Sequence, residues 1–552
     1  MAQRKAFAVA ALAASLVAAC SGSGGGGGGT TTAPPPAPAA VPGLVSGPSP
    51  FAVACGGAGG TLYLNAEVEP HLAVSPRDAN HLIGVWQQDR WSNGSARGNA
   101  TAVSFDGGAT WSRRLAPLSA CSGGTAANGG DFERATDPWV TIALDGTAYQ
   151  MSLSTSGASF APGSANAMLV SRSTDGGLTW SAPVALIRDT APYFNDKNAI
   201  TADPTDSRYV YAVWDRLEQG RGGPTFLART TDGGLNWEPA RTIFDPGPSA
   251  QTIGNLVAVR GDGTALNLFT QLTTSGGAPD GTGATVTGHL AVLRSTDKGA
   301  SWSAPVRIAE LLAIGVVDPE TGVGIRGAPI VAQIAAAADG AFVVVWSDAR
   351  FSGGARDAIA FARSTDGGAS WSAPVRVNPD ASVPAFTPQV RVRADGMIGV
   401  TYFDLRSNTA DPATLGADYW IARSADGVNW SETRVAGPFN LNTAPNAGGY
   451  FLGDYMGLGA AGTAFLPFYT RTTGDLANRT DVFLARIAAA PGLAEADRDP
   501  KRALAQESRL ETYRAEPAPE GFVASDALRQ KVSDNIVRAM KARIPNWTPP
   551  RR

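Results

Sequence analysis

The chain has 552 residues, of which 17% are charged, and its formal net charge is −3. This small net charge gives no electrostatic reason to expect binding to nucleic acid or to an anionic membrane surface. Glycine (65 residues) and proline (38 residues) are plentiful, which suits short strands joined by turns and disfavours long helices. The composition therefore predicts an all-β protein.

The first twenty residues have the pattern of a secretion signal. Basic residues at positions 4 and 5 precede an apolar run, Ala6–Val17, which is too short to span a bilayer comfortably. The run leads into Leu-Val-Ala-Ala-Cys20, which resembles a bacterial lipobox. That resemblance implies that Cys20 is acylated, and that Ser21 directs the protein to the outer membrane if the cell has one. The alternative is an ordinary signal peptide and an extracellular protein.

Composition divides the rest of the chain into three parts. Residues 21–50 carry a run of six glycines, a threonine triplet and Pro/Ala clusters, so they predict a disordered tether. Residues 51–490 form the predicted folded body, and residues 491–552 a helical tail. In that tail Ser525 is a predicted helix cap. Leu528, Val532, Ile536, Met540 and Ile544 recur about every four residues. We expect this helix to dock on the body; membrane or partner binding is the alternative.

Two cysteines, Cys55 and Cys121, lie beyond the predicted signal. In an oxidising compartment such a pair predicts one disulfide, which would join the start of the body to the end of its first repeat. The alternative is a pair of buried free thiols.

One motif recurs six times along the body. It reads Ser104-Phe-Asp-Gly-Gly-Ala-Thr-Trp111 in its first copy, and the last copy is one residue shorter. Its aspartates are Asp106, Asp175, Asp232, Asp297, Asp366 and Asp426. Aspartate accepts hydrogen bonds from backbone N–H groups in a tight turn, while the glycines supply positive φ. The motif is therefore structural, and its repetition indicates repeated antiparallel units.

The motif resembles the Asp box of bacterial neuraminidase repeats, over roughly residues 65–490. The resemblance implies a sialidase-like β-propeller with the Asp boxes on one face. Six units carry the box, and a seventh follows without a box or a fourth strand. We therefore predict seven blades, with six as the alternative, and expect Gly60–Asn65 to supply the missing outer strand.

Two sets of residues converge on the opposite face, at the mouth of the axial channel. Aligned inner strands place four acidic residues at one register: Glu69, Asp137, Asp196 and Asp454. The ends of the second strands contribute five arginines: Arg90, Arg216, Arg350, Arg406 and Arg471. Such a ring suits a small anionic or polyhydroxylated ligand. The alternative is that each arginine pairs with a nearby aspartate and fixes its own loop.

The resemblance to sialidases implies an arginine triad, a Tyr–Glu nucleophile pair and an acidic proton donor. The family's Arg-Ile-Pro signature belongs ahead of the first Asp box, whereas here the tripeptide occurs only at Arg543-Ile544-Pro545, which we interpret as coincidental. No Tyr–Glu pair can be assigned. The candidates for catalysis are Glu69, Asp137, Tyr402 and Tyr455.

Other chemistry is not indicated. The histidines His71, His81 and His289 have no zinc spacing, and neither a P-loop, a dinucleotide fingerprint nor a Gly-x-Ser-x-Gly elbow is present. We expect no metal or cofactor, no nucleic-acid partner, and a monomer attached to the membrane only by its lipid. Two functions remain open: a sialidase-type glycoside hydrolase on acidic glycans, and a non-catalytic propeller that binds a glycan or a protein.

Overall fold

A computed structural model describes residues 43–52, 54–57, 59–277, 283–488 and 512–551. The predicted signal peptide, the lipid attachment at Cys20 and residues 21–42 of the predicted tether lie outside these ranges. The described part is almost entirely β, with a single longer helix near the C-terminus. Within these ranges no helix has both the length and the apolar character that crossing a membrane requires.

Most strands belong to six antiparallel sheets. The first sheet contains nine strands: β2 (Leu62–Tyr63), β3 (Val68–Val74), β4 (Leu82–Trp91), β5 (Ala96–Ser104), β6 (Ser112–Arg114), β7 (Arg134–Ile142), β8 (Ala148–Ser156), β9 (Ala165–Ser173) and β10 (Val184–Thr190). The second contains β11 (Tyr193–Ala202), β12 (Val210–Glu218), β13 (Thr225–Thr230) and β14 (Arg241–Phe244). The third contains β15 (Ala250–Val259), β16 (Ala265–Ser275), β17 (Thr285–Ser295) and β18 (Val306–Glu310).

Three further sheets incorporate strands from distant parts of the chain. The fourth contains β21 (Gln333–Ala336), β22 (Phe342–Asp348), β23 (Ala358–Ser364), β24 (Val375–Arg376) and β33 (Glu516–Pro517). The fifth contains β25 (Ala385–Val392), β26 (Ile398–Asp404), β27 (Gly416–Ser424), β28 (Asn429–Asn440) and β32 (Tyr513–Arg514). The sixth contains β29 (Gly457–Ala461), β30 (Ala464–Asp475), β31 (Asn478–Leu484) and β1 (Gly43–Leu44). A small ribbon, β19 (Val316–Val317) and β20 (Gly324–Ile325), stands apart.

These sheets form a β-propeller, as the repeats predicted, but the predicted count of seven separate blades is wrong. Five sheets are separate blades of four or five strands, namely the second to the sixth. The first two repeats share the nine-stranded sheet, because Ala96 of β5 pairs with Ala135 of β7. The second and third sheets are also joined by an isolated backbone bridge between Gly223 and Gln251. Large side chains that are almost completely buried, such as Trp86, Trp214 and Trp346, contribute to the packing of the propeller.

The outer strand of the last blade comes from the N-terminal side of the body, but not from the predicted segment. Gly43 and Leu44 pair with Leu484 and Phe483 of β31, so the folded body begins inside the predicted tether 21–50. Within Gly60–Asn65, Leu62 and Tyr63 instead extend the first sheet by pairing with β4. The prediction that an N-terminal strand completes the last blade is therefore confirmed. The predicted segment was wrong, because Gly43–Leu44 and not Gly60–Asn65 supplies this strand.

Each Asp box closes its turn through the aspartate. In the box of Asp366, Oδ1 accepts from the backbone N–H of Ser370 at 2.9 Å and from the hydroxyl of Ser364 at 2.8 Å. The Ser364 hydroxyl in turn accepts from the N–H of Gly368 at 2.8 Å. Both glycines of the turn have positive φ, 75° for Gly367 and 89° for Gly368. The shorter last box is closed by the same kind of hydrogen bonds, since Asp426 accepts from the N–H groups of Val428 and Asn429 at 2.7 and 2.8 Å.

Replacing Asp366 by Ala should lower the Tm without affecting any ligand at the channel mouth. The change leaves the backbone N–H of Ser370 and the hydroxyls of the turn without their acceptor. Differential scanning calorimetry compares this variant with Glu320→Ala, in which an exposed glutamate elsewhere is shortened. An unchanged Tm for Asp366→Ala would show that the box does not stabilise its blade.

Two features tie the ends of the chain to the body. Cys55 and Cys121 form the predicted disulfide, with their Cα atoms 5.3 Å apart. Residues 512–551, which we call the strap, cross the propeller and contain the helix α1 (Asp526–Arg543). The Ser525 hydroxyl accepts from the N–H of Leu528 at 3.2 Å, which confirms the predicted cap.

The strap docks on the body through the predicted apolar face of α1. The side chains at its four-residue spacing are buried: Leu528, Val532, Ile536, Met540 and Ile544. Residues 491–511 of the predicted helical tail lie outside the described residues. The tail is not helical throughout, because Tyr513–Arg514 and Glu516–Pro517 pair as strands with β28 and β24. The tail therefore combines edge strands with one helix.

Candidate functional site at the channel mouth

Three carboxylates from different repeats surround one lysine at the mouth of the axial channel. Lys197 Nζ lies 3.2 Å from Glu69 Oε1 and 2.9 Å from Asp454 Oδ2, and it also pairs with Asp137. All four side chains are almost completely buried. The structure thus brings together three of the four acidic residues that the sequence alignment placed at one register.

Two guanidinium groups complete this arrangement. Arg326 Nη2 lies 2.8 Å from Asp454 Oδ2, and Arg543 Nη2 lies 2.9 Å from Asp454 Oδ1. Arg326 also donates to the backbone carbonyl of Ala542 at 3.0 Å, so the strap is held at the mouth by two contacts. We call the following six residues the mouth cluster: Glu69, Asp137, Lys197, Arg326, Asp454 and Arg543.

Burial and charge act in opposite directions on the acids of the mouth cluster. Burial alone would raise the pKa of Asp454, but the three cations beside it hold that pKa well below its ordinary value. Burial, reinforced by the charge of Asp137, raises the pKa of Glu69 to about 7. Asp454 is therefore the permanent anion of the cluster, whereas Glu69 exchanges its proton near neutral pH.

A pair of carboxyl groups lies next to the mouth cluster. Asp196 on β11 and Asp215 on β12 are cross-strand partners. Burial and the charge of Asp137 raise the pKa of Asp196 to about 6, while burial and Asp196 raise that of Asp215 well above its ordinary value. Among the described residues, neither oxygen of Asp215 has a hydrogen-bond partner, and Oδ2 of Asp196 has none either. Such a pair retains a proton at a pH where an exposed carboxyl would have lost it.

Backbone geometry explains why Asp196 stands apart from the other acids. The inner strands β3, β7 and β11 each contain a register shift, with positive φ at Glu69 (54°), Asp137 (49°) and Lys197 (44°). Lys197, and not Asp196, therefore occupies the register of the other two residues. Such backbone strain in non-glycine residues is concentrated at functional sites.

Sequence reasoning missed the three cations of the mouth cluster. Lys197 directly follows Asp196 in the sequence, so only the position of the register shift in β11 decides which of the two residues joins the cluster. Arg326 lies in a loop outside the repeat pattern, and Arg543 is supplied by the strap. The tripeptide that begins at Arg543 therefore does lie at the site, although it arrives from the C-terminal helix instead of preceding the first Asp box.

A polar pocket of about 230 Å³ opens beside the mouth cluster. Asp137, Asp196, Lys197 and Arg543 contribute charged groups to its lining. The rest of the wall includes small or uncharged polar residues: Asn93, Ser95, Thr155, Gly157, Ala158, Ser159 and Asn546. The lining combines hydrogen-bond donors and acceptors in a confined volume, which suits a small polyhydroxylated ligand.

The predicted ring of five arginines does not assemble around this pocket. Of the five, Arg90 lines it. Arg350 Nη2 pairs with Asp348 at 2.7 Å, and Arg406 Nη2 pairs with Asp404 at 2.6 Å, so both fix their own loops, as the alternative interpretation held.

The other two arginines also point to local partners. Arg216 Nε pairs with Asp189 at 2.7 Å, and its guanidinium stacks on the ring of Tyr193 at 3.7 Å. The guanidinium of Arg471 lies 4.3 Å from the ring centroid of Phe483. The repeated Asp–Arg pattern at the ends of the second strands therefore mainly organises loops.

The two candidate tyrosines are buried in different environments. Tyr455 lies beneath the mouth cluster, where its hydroxyl donates to the carbonyl of Pro138 at 3.1 Å, and burial raises its pKa well above the ordinary value. Tyr402 donates to Glu432, a Tyr–Glu pair that could not be assigned from the sequence. Tyr402 is 0% exposed and packs in an apolar cluster between the fourth and fifth sheets, so this pair is not part of the pocket.

Comparisons with known proteins agree with the repeat pattern. Residues 225–451 match the model of the BNR repeat-like domain. No curated protein matches the sequence. Similar solved structures include a protein of unknown function from Dyadobacter fermentans, with 15% identity, 77% of this chain and 94% of that chain covered, and a TM-score of 0.39.

Two enzymes are also among the similar structures. The α-L-arabinofuranosidase Arb93A from Fusarium graminearum is 14% identical, with 66% of this chain and 92% of that chain covered and a TM-score of 0.40. A sialidase from Trypanosoma rangeli is 12% identical, with 76% of this chain and 54% of that chain covered and a TM-score of 0.38. Similarities this weak carry no functional argument. The six Asp boxes and the domain match together show that the protein carries a BNR repeat-like domain and that its folded body is a sialidase-like BNR β-propeller.

Proposed function

We propose that the protein binds glycans at the cell envelope, with one terminal sugar residue in the pocket beside the mouth cluster. The observation that carries this proposal is the lining of the pocket, which combines buried charged groups with small and uncharged polar residues. Sugar hydroxyls donate and accept hydrogen bonds at once, so both carboxylates and cations are useful partners for them. The lipid anchor predicted at Cys20 would hold this pocket within reach of surrounding glycans.

The strap supports a preference for glycan ends. Arg543, Pro545 and Asn546 form part of the wall, and the pocket of about 230 Å³ is smaller than the pockets that usually hold drug-sized ligands. A polymer passing through the mouth would have to displace the strap. A terminal residue can enter without doing so.

Filling the pocket should abolish glycan binding while leaving the fold intact. Ala158 is exposed and lines the pocket, so Ala158→Trp places an indole there without touching the buried cluster. Isothermal titration of residues 43–552 with lactose and sialyllactose measures binding. The matched control is Ala381→Trp, at an exposed alanine that is not part of the pocket lining. Equal binding by both variants would contradict the proposed site.

Glycoside hydrolysis is the second candidate, and the Asp196–Asp215 pair favours it. Glycosidases need one carboxyl that stays protonated as a general acid and a second that is ionised. Asp196 lines the pocket and has a pKa raised to about 6, while Asp137, also in the pocket, is paired with Lys197. The same site would then bind and cleave the terminal sugar.

A hydrolase of this kind should lose activity as the pH rises through about 6, because the general acid must carry its proton. Asp196→Asn should reduce kcat on aryl glycosides by about 10²–10⁴-fold with sugar binding retained. Glu218→Gln, in the same sheet and half-buried, is a control for the charge change. Sugar binding without turnover in the wild type would leave binding as the function.

A further inference from the structure

A second cavity lies further along the axial channel. Its volume is about 390 Å³, and it is lined by inner strands that include His71, Trp139, Thr141, Thr201 and Arg391. Among the described residues, this cavity and the pocket at the mouth share no lining residue. The channel therefore contains a separate space that the proposed glycan pocket does not use.

Arg391 is the unusual group in this cavity. It alternates with buried valines on β25, so that its side chain faces the channel while its neighbours pack between sheets. Within the described ranges no carboxylate pairs with its guanidinium, and the surrounding protein lowers the pKa of Arg391 by partial desolvation. Arg391 is exposed to the water of the channel, so its donors are accessible to any small anion that enters the cavity.

The other titratable groups of the cavity do not neutralise Arg391. Asp203 already accepts from Lys298 Nζ at 2.9 Å and from the Tyr211 hydroxyl at 2.8 Å. Burial, together with the charge of Arg391, lowers the pKa of His71 to about 3, so this ring is neutral at pH 7. Arg391 is therefore the cation of this lining, whereas the carboxylate of Asp203 is already engaged by Lys298.

His71 provides a second donor. Its Nδ1 accepts from the backbone N–H of Val140 at 3.5 Å, which assigns the proton of the neutral ring to Nε2. The ring is held against Trp139, with the centroids 3.9 Å apart. A fixed N–H donor and a five-donor guanidinium thus line the same space.

We propose that this cavity binds a small oxyanion through the guanidinium of Arg391, with His71 as an additional donor. A carboxylate, phosphate or sulfate group matches the planar fork of arginine and can accept two parallel hydrogen bonds from it. The cavity is large enough for such an ion with some of its water, or for a short organic acid whose body contacts the apolar side chains of the inner strands. Binding here is independent of the glycan pocket.

Isothermal titration with inorganic phosphate, sulfate and acetate tests the proposal at pH 7 and constant ionic strength. The wild type should bind at least one of the three at one ion per chain, and Arg391→Gln should weaken that binding by at least about tenfold. Arg307→Gln is the matched control, because Arg307 is an exposed arginine on an outer strand and its loss should leave the affinity unchanged.

The pattern across the three ions identifies the source of the oxyanion. Binding of acetate but not of phosphate or sulfate would indicate an organic acid, and the reverse an inorganic ion. Arg391→Lys, which keeps the charge, should bind more weakly than the wild type but more tightly than Arg391→Gln. If Arg391→Gln does not fold, the comparison of Arg391→Lys with the wild type tests the proposal. The proposal is overturned if the wild type binds none of the three ions, or if Arg391→Gln binds as tightly as Arg307→Gln.

Discussion

Replacing Asp454 by Asn should lower the free energy of unfolding by about 3–5 kcal/mol, the range expected when one partner of a buried ion pair is removed. Asp454 is 2% exposed and contacts three cations, of which Arg326 and Arg543 lie at 2.8 and 2.9 Å. Asparagine has nearly the same shape but no charge, so it leaves these cations buried with less compensation. Urea denaturation at pH 7 measures the change.

The matched control is Asp206→Asn, which breaks a pair with Arg208 at 2.7 Å on the surface. The Arg208 side chain is 68% exposed, and an exposed pair of this kind contributes at most about 1 kcal/mol. A loss for Asp454→Asn no larger than that of the control would show that the mouth cluster does not stabilise the propeller.

The effect of Asp454 should also depend on pH in a defined direction. Because the folded-state pKa of Asp454 is depressed, its contribution is fully present above the unfolded pKa of about 3.9 and is lost as the pH falls towards the folded value. The difference between wild type and Asp454→Asn should therefore shrink as the pH falls below about 4.

Local sequence rules predicted those parts of the fold that repeat. The Asp boxes can be recognised in the sequence because each turn needs an acceptor and at least one glycine in fixed positions. Ser525 can be recognised as a cap because its hydroxyl accepts from the N–H three residues on. The closing strand was misplaced because Gly43–Leu44 is only two residues long and lies in a segment rich in glycine and proline. So short a strand is fixed by its partner β31 and not by its own residues.

Only those residues of the site that belong to the repeats were predicted from the sequence. Glu69, Asp137 and Asp454 could be aligned because each lies on, or just before, an inner strand. Arg543 could not, since the chain between Asp454 and Arg543 passes through the last blade and the strap before it returns to the mouth. An ion pair between such distant residues leaves no local pattern in the sequence.

This return of the chain places Arg543, Pro545 and Asn546 of the strap in the wall of the pocket at the mouth. Its helix buries Ile536 completely, and Trp547 beyond the helix donates from Nε1 to Gln251 at 2.8 Å. Between these two anchors lie Ala542 and Arg543, which contact Arg326 and Asp454. Loosening the anchors should therefore withdraw both groups from the mouth cluster together.

Replacing Ile536 by Glu should release the strap. The change places a carboxylate in an apolar contact without a partner, which is among the largest single-residue penalties in folded proteins. Limited trypsin digestion should then cleave the strap quickly after Lys531, Arg538 or Lys541, with the rest of the body resistant. Lys531→Glu is the control, because it introduces the same side chain at an exposed position of the same helix.

Release of the strap should also widen the range of ligands. With Arg543, Pro545 and Asn546 removed from its wall, the pocket becomes an open cleft, and internal segments of a glycan can enter as well as its ends. Titration with a polymeric and a monomeric form of the same sugar measures this, and Ile536→Glu should gain affinity for the polymer relative to Lys531→Glu. If Ile536→Glu is cleaved quickly but still binds only the ends of glycans, the preference for glycan ends is set by the walls of the propeller and not by the strap.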